Sequence, residues 1–134
     1  KAGKEYYVKA TDEYPILFII AALTKGISKF SGIADLANKE SNRISEMQKV
    51  LKQINIKSTV FNNEIKIFGK NSIDKNKRVK VPNLGDHRIC MSTLILSLIT
   101  GVKTEIKNFE TVYTSAPSFL KIVNFLGGKF KVQK

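Results

Sequence analysis

Two short runs of mixed charge contain the side chains best suited to chemistry. One is Lys39-Glu40-Ser41-Asn42-Arg43, and the other is Gly85-Asp86-His87-Arg88, which holds the chain's one histidine. Together they contain two of the three arginines in a chain whose 23 basic residues are otherwise lysine; the third arginine is Arg78. A guanidinium binds a carboxylate or phosphate through two parallel hydrogen bonds, a geometry an ammonium group cannot copy. Arginine at both places, where lysine serves almost everywhere else, points to anion recognition.

In the first run, a helix beginning near Lys39 puts Lys39 and Arg43 four residues apart on one face. Like charges at that spacing repel, and an anion held between them removes the penalty. Glu40 lies beside them, a carboxylate able to take or give a proton on a bound substrate. The plainer alternative is an exposed helix start with Glu40 near the dipole. In the second run, Gly85 permits close approach, Asp86 is a helix cap, and His87 and Arg88 project from the first turn. His87 can serve as proton donor or neutral hydrogen-bond partner near neutral pH. With one histidine and one cysteine, a zinc site has no ligand set, and no metal or cofactor is expected. Asp12 opens an earlier helix as a cap or as an acceptor for a substrate hydroxyl.

The 134 residues suit a single domain with a real core. A net charge of +12 raises anionic partners, either nucleic acid, acidic membrane or small phosphorylated metabolites. Lysines 57, 66, 103, 107, 129 and 131 alternate as on the outer faces of strands, which favours simple solvation of the surface. The basic residues are dispersed and match no nucleic-acid motif, so a small nucleic-acid-binding module is the alternative reading. Cys90 excludes an internal disulfide and sits in an apolar helical run, as a buried thiol rather than a nucleophile. The apolar run Ile16 to Leu23 is too short to span a bilayer, so neither membrane nor secretion is expected and a cytoplasmic setting is. The chain begins without methionine and enters a strand at once, as a piece cut from a longer protein would.

Periodicity and turn chemistry place the elements around these runs. A strand is expected over Tyr6–Ala10, then a helix from Asp12 to about Thr24 with Pro15 in its first turn. Its body is apolar on every side, as in a helix wrapped by protein. A strand over Ile27–Phe30 and a helix over Lys39–Gln53 follow, then strands Ile56–Phe61 and Glu64–Phe68 joined by an Asn62-Asn63 hairpin turn. Tyr6, Tyr7, Phe61 and Phe68 read as strand core residues. A lysine-rich loop leads to a short strand at Val79–Val81. Asp86 starts a second all-apolar helix ending at Gly101, and Val102–Lys107 alternates as a strand. Ser115 caps a last helix to about Leu126, and a final strand carries Phe130 and Val132.

The succession repeats. Gly26 and Gly101 lie 75 residues apart, and the same shift pairs Leu23 with Leu98, Leu51 with Leu126, and Asp12 with His87. Two βαβαβ(β) units are expected, at about residues 6–68 and 79–133 of a single partial domain covering 1–134. Each polar run then lies at a helix N-terminus, where free N–H groups and the dipole favour anions. Apolar helices with amphipathic strands suggest an α/β fold with helices inside and sheets outside.

Read in order, Asp12-Glu13-Tyr14-Pro15, Lys39-Glu40-Ser41-Asn42-Arg43, Gly85-Asp86-His87-Arg88-Ile89-Cys90-Met91 and Thr114-Ser115-Ala116-Pro117-Ser118-Phe119 resemble the C-terminal part of the 5-enolpyruvylshikimate-3-phosphate (EPSP) synthase family. The resemblance covers nearly the whole chain. It implies an inside-out α/β barrel of βαβαββ units, of which this chain would supply about two. It also implies transfer of the enolpyruvyl group of phosphoenolpyruvate to shikimate 3-phosphate, in bacterial aromatic amino acid biosynthesis by the shikimate pathway. Carried over by position, Asp12 would bind shikimate hydroxyls and act in proton transfer, and Lys39 would contact shikimate 3-phosphate or help move protons. Glu40 would be the acid/base group at the phosphoenolpyruvate methylene. Arg43 and Arg88 would clamp the phosphoenolpyruvate carboxylate with His87 lining the pocket, and Asp35 would approach shikimate 3-phosphate. Thr114 stands where many members carry lysine, Ala37 replaces a common arginine and Asn42 a common aspartate. The family's pocket lies between two domains. A missing N-terminal domain would be this chain's partner, the full-length protein a monomer, and the isolated fragment inactive.

Overall fold

The structure is a computed structural model that describes residues 13–125 and residue 127. The expected strand at Tyr6–Ala10, Asp12, and the final strand with Phe130 and Val132 lie outside the described residues. Helix α1, Tyr14–Ala22, carries Pro15 in its first turn, where the missing N–H costs nothing. Tyr14, Phe18 and Ile19 are fully buried, and the rings of Tyr14, Phe18 and Phe30 meet edge to face with centroids 5.1 to 5.9 Å apart. Strand β1, Gly26–Ser31, follows, then a 3-10 turn at Ala34–Asn38 that buries Leu36.

Helix α2 runs from Arg43 to Gln53. It starts four residues later than expected, because Asn42 takes the cap: its side chain accepts from Ser45 N at 3.1 Å. Lys39 is extended (φ −88°, ψ −160°), so Lys39 and Arg43 are not on one helical face. Strands β2, Lys57–Phe61, and β3, Glu64–Gly69, form the expected hairpin. Asn62 and Asn63 both have positive φ, 47° and 60°, as a tight turn of matching twist requires. The antiparallel order is β1-β3-β2, with Phe30 and Val60 both opposite Ile65. Phe61, expected in the core, is 77% exposed at the hairpin tip.

The second half begins with β4, Arg78–Val81, which pairs in parallel with β5, Lys103–Ile106, across the long helix α3, His87–Thr100. Gly101 ends α3 at φ 78°, donating its N–H to Ser97 O at 2.8 Å. Two short helices follow, α4 at Glu110–Ser115 and α5 at Phe119–Phe125. Ser115 is thus the last residue of one helix rather than the cap of the next. Pro117 falls in the break, and the residue before a proline is driven from helical geometry. Both polar runs lie at a helix N-terminus as expected, although in the first only Asn42 and Arg43 cap and open α2, while Lys39–Ser41 precede it.

The main core joins Phe18 and Ile19 of α1, Met47 and Leu51 of α2, Ile65 and Ile67 of β3, and Ile89 and Leu96 of α3. A small separate cluster, Leu94, Leu120 and Val123, holds α5. The wholly apolar helices are not wrapped on every side: Ile20 of α1 is 53% exposed and Ile99 of α3 61%. Gln53, the last residue of α2, reaches β4, where its carboxamide accepts from Lys80 N at 2.8 Å and donates to Lys80 O at 3.1 Å.

Candidate functional site: the two charged runs meet at Asp86

Asp86 caps α3, its Oδ1 accepting from Arg88 N at 3.0 Å. The same carboxylate takes the Arg43 fork, Nε to Oδ2 at 3.0 Å and Nη2 to Oδ1 at 3.2 Å, across 43 residues of sequence. Ser41 Oγ donates to Oδ2 at 2.7 Å. Arg43 is 1% exposed and Asp86 0%, so this is a buried, bidentate ion pair. The Arg43 Nη2 group also donates to Glu40 Oε2 at 2.5 Å, and that carboxylate is half exposed.

The electrostatics follow from placement. Arg43 is the first residue of α2, where the dipole disfavours a cation, and Asp86 offsets this at once. Asp86 lies at the N-terminus of α3, where the dipole favours an anion. Burial is the largest single influence on the Asp86 carboxyl and pushes it up. The Arg43 and Ser41 hydrogen bonds, the Arg43 charge and the Arg88 N–H together outweigh burial and hold it below its ordinary value. One turn on, Cys90 is pushed up to about 11, chiefly by burial, with the Thr111 hydroxyl opposing and the Asp86 charge adding to the rise. It is a buried structural thiol, as expected.

The anion expected between the cations of the first run is thus, at Arg43, an internal one. Sequence reasoning treated Asp86 only as a cap and gave Ser41 no role; a pairing across 43 residues leaves no local signal. Asp35 is exposed on the 3-10 turn, Lys39 is half-buried just after it, and His87 is half-buried on the first turn of α3. Among the described residues, the hydrogen bonds of the Asp86 network do not include the side chains of Asp35, Lys39 or His87. Two surface concavities, one between α2 and β4 beside Val50 and Pro82 and one along α2 and β2 beside Gln48 and Ser58, are lined by none of Glu40, Arg43, His87 and Arg88. Among the described residues, no group of three His, Cys, Asp or Glu could hold a metal ion, and no helix is long and apolar enough to cross a membrane.

Residues 2–123 match the family model described as EPSP synthase (3-phosphoshikimate 1-carboxyvinyltransferase). A 3-phosphoshikimate 1-carboxyvinyltransferase of Legionella pneumophila (strain Corby) is 38% identical over 117 residues, 87% of this chain and 26% of that protein. The same enzyme from Rhodospirillum rubrum is 34% identical over 116 residues, with the same coverage. A solved EPSP synthase from Acinetobacter baumannii superposes with a TM-score of 0.83 at 33% identity, over 98% of this chain and 30% of that one. The chain therefore spans little more than a quarter of the curated relatives it matches. The match of residues 2–123 to that family model, in a mixed α/β fold shared with solved EPSP synthases, places this chain in the EPSP synthase family.

Proposed function

We propose that this chain supplies part of a synthase that transfers the enolpyruvyl group of phosphoenolpyruvate to shikimate 3-phosphate. The observation that carries the reading is the Asp86 knot, which brings Lys39–Arg43 and Gly85–Arg88 to one place. In this reading Arg88 faces the carboxylate of phosphoenolpyruvate with His87 beside it, and Arg43, whose guanidinium is buried against Asp86 and Glu40, backs that face from within. Glu40 is the acid/base group at its methylene carbon, and its partial exposure leaves it within reach of a substrate. Lys39 and Asp35 approach shikimate 3-phosphate, as does Asp12, which lies outside the described residues. Neither concavity described above is bounded by these groups, which fits a pocket closed by a further domain. The protein acts in the cytoplasm, needs no metal or cofactor, and the 134 residues by themselves turn over no substrate. The shift of 75 residues that relates α1 to α3 and β1 to β5 reflects two copies of one unit, at about 6–68 and 79–133.

The test is a chemical-shift titration of the isotope-labelled chain with shikimate 3-phosphate and phosphoenolpyruvate, beside an oligonucleotide arm. Shifts gathered on Lys39–Arg43 and Gly85–Arg88, weak and in the millimolar range as few contacts predict, are expected. Shifts scattered over the lysines and produced by the oligonucleotide alone overturn the reading in favour of nucleic-acid binding.

A further inference from the structure

We propose that Asp86 is a positioning residue, whose buried carboxylate fixes the Arg43 fork and the first turn of α3 relative to each other so that both runs present one anion-binding surface. The term anion-binding rests on the function proposed above; the hold on Arg43 does not. The carboxylate accepts four hydrogen bonds, two from Arg43, one from Ser41 and one from Arg88 N, and is fully buried. A plain cap needs only the last of these. Buried polar groups earn their place when every bond is made, and this one links three points of the chain: the turn before α2, the start of α2 and the start of α3. Glu40 cannot substitute, because it is half exposed and meets Arg43 through a single nitrogen. Asp86 touches no substrate in this scheme; it acts through Arg43 and through the backbone that carries His87 and Arg88.

The chemistry of the cap gives a clean separation of roles. Asparagine and serine cap helices about as well as aspartate, yet neither can accept both prongs of a guanidinium as a carboxylate does. The test follows the side-chain Nε–H resonances of the three arginines in the full 134-residue chain, with Arg78, which is exposed, as the internal reference. In the unaltered chain, Arg43 Nε–H exchanges with water at least about tenfold more slowly than Arg78 Nε–H, the protection of one charge-assisted bond. Equal rates overturn the proposal without any variant. In Asp86→Asn and Asp86→Ser, the Arg43 resonance moves towards that of Arg78 and its exchange rises about tenfold, while the Arg88 amide stays protected. An unchanged Arg43 signal in both variants shows that Asp86 only caps α3 and overturns it. The same samples are then titrated with phosphoenolpyruvate, with inorganic phosphate as a second probe. Affinity about tenfold weaker in both variants is expected, and equal affinity overturns the positioning role. Absence of binding by the unaltered chain refutes the proposed function instead, and the ligand-free exchange rates still decide whether Asp86 holds Arg43.

Discussion

Residues 13–69 and 78–125 run through similar elements, and a shift of 75 residues lays α1 on α3, β1 on β5 and α2 on α5. Their packing differs sharply. Met47 of α2 is fully buried, whereas Ile122, in the matching place of α5, is 55% exposed. Val50 is 3% exposed and its counterpart Phe125 is 90% exposed. The reason is visible in the sheets. Helix α2 packs on β2, β4, α1 and α3, whereas α5 rests on the three-residue cluster around Leu94. The charges follow the packing. The buried cation at the start of α2, Arg43, corresponds to the exposed Ser118 just before α5. Positions 75 residues apart can thus carry a buried ion pair in one place and ordinary surface in the other.

The widest contrast is expected at the paired charge. Arg43→Met strands Asp86 in the interior and should cost about 3–5 kcal/mol in urea unfolding. Ser118→Ala should stay within about 0.5 kcal/mol. The half-exposed Glu40 contact adds little to either figure. The same pair sets an acid limit. Because the folded Asp86 value is depressed, its contribution is complete above the unfolded carboxylate value of about 3.9 and disappears as pH falls through the folded value. The melting temperature of the unaltered chain should therefore fall towards that of Asp86→Asn in acid, and a gap that stays constant breaks the argument.

Next comes the apolar comparison. Met47→Ala should cost about 2–5 kcal/mol and Ile122→Ala within about 0.5 kcal/mol, read from the same urea curves. Similar losses at both sites would mean that α5 is covered in solution. The smallest effect concerns Cys90, buried in α3, which packs on α4. A thiol reagent should label it at urea concentrations where β3 amides are still fully protected, marking the second half as the first to open. Labelling that waits for global unfolding would erase the distinction between the halves.

Much of this fold was legible because its punctuation is local. Asn62-Asn63 can take positive φ, Gly101 can take the left-handed cap, and apolar runs of helical length bury themselves. The errors lie where two local preferences compete. Asn42 outbid Lys39 as the start of α2, since its carboxamide can reach Ser45 N, and Pro117 split a stretch whose spacing suggested one helix. At the site, residue types and spacing singled out both runs. What they could not reveal was that Arg43 faces an internal carboxylate, for the partner is 43 positions away and also has a sufficient local role as a cap.

Gln53 has a consequence for how these molecules behave in a crowd. By giving Lys80 both an acceptor and a donor, its carboxamide imitates one residue of a neighbouring strand on the edge of β4 that, among the described residues, no strand pairs. An intruding chain that tries to zip onto that border finds the backbone of Lys80 already engaged, and must evict a side chain anchored at the end of α2 before it gains its first bond. A single amide thus occupies both backbone groups that an added strand would need at Lys80.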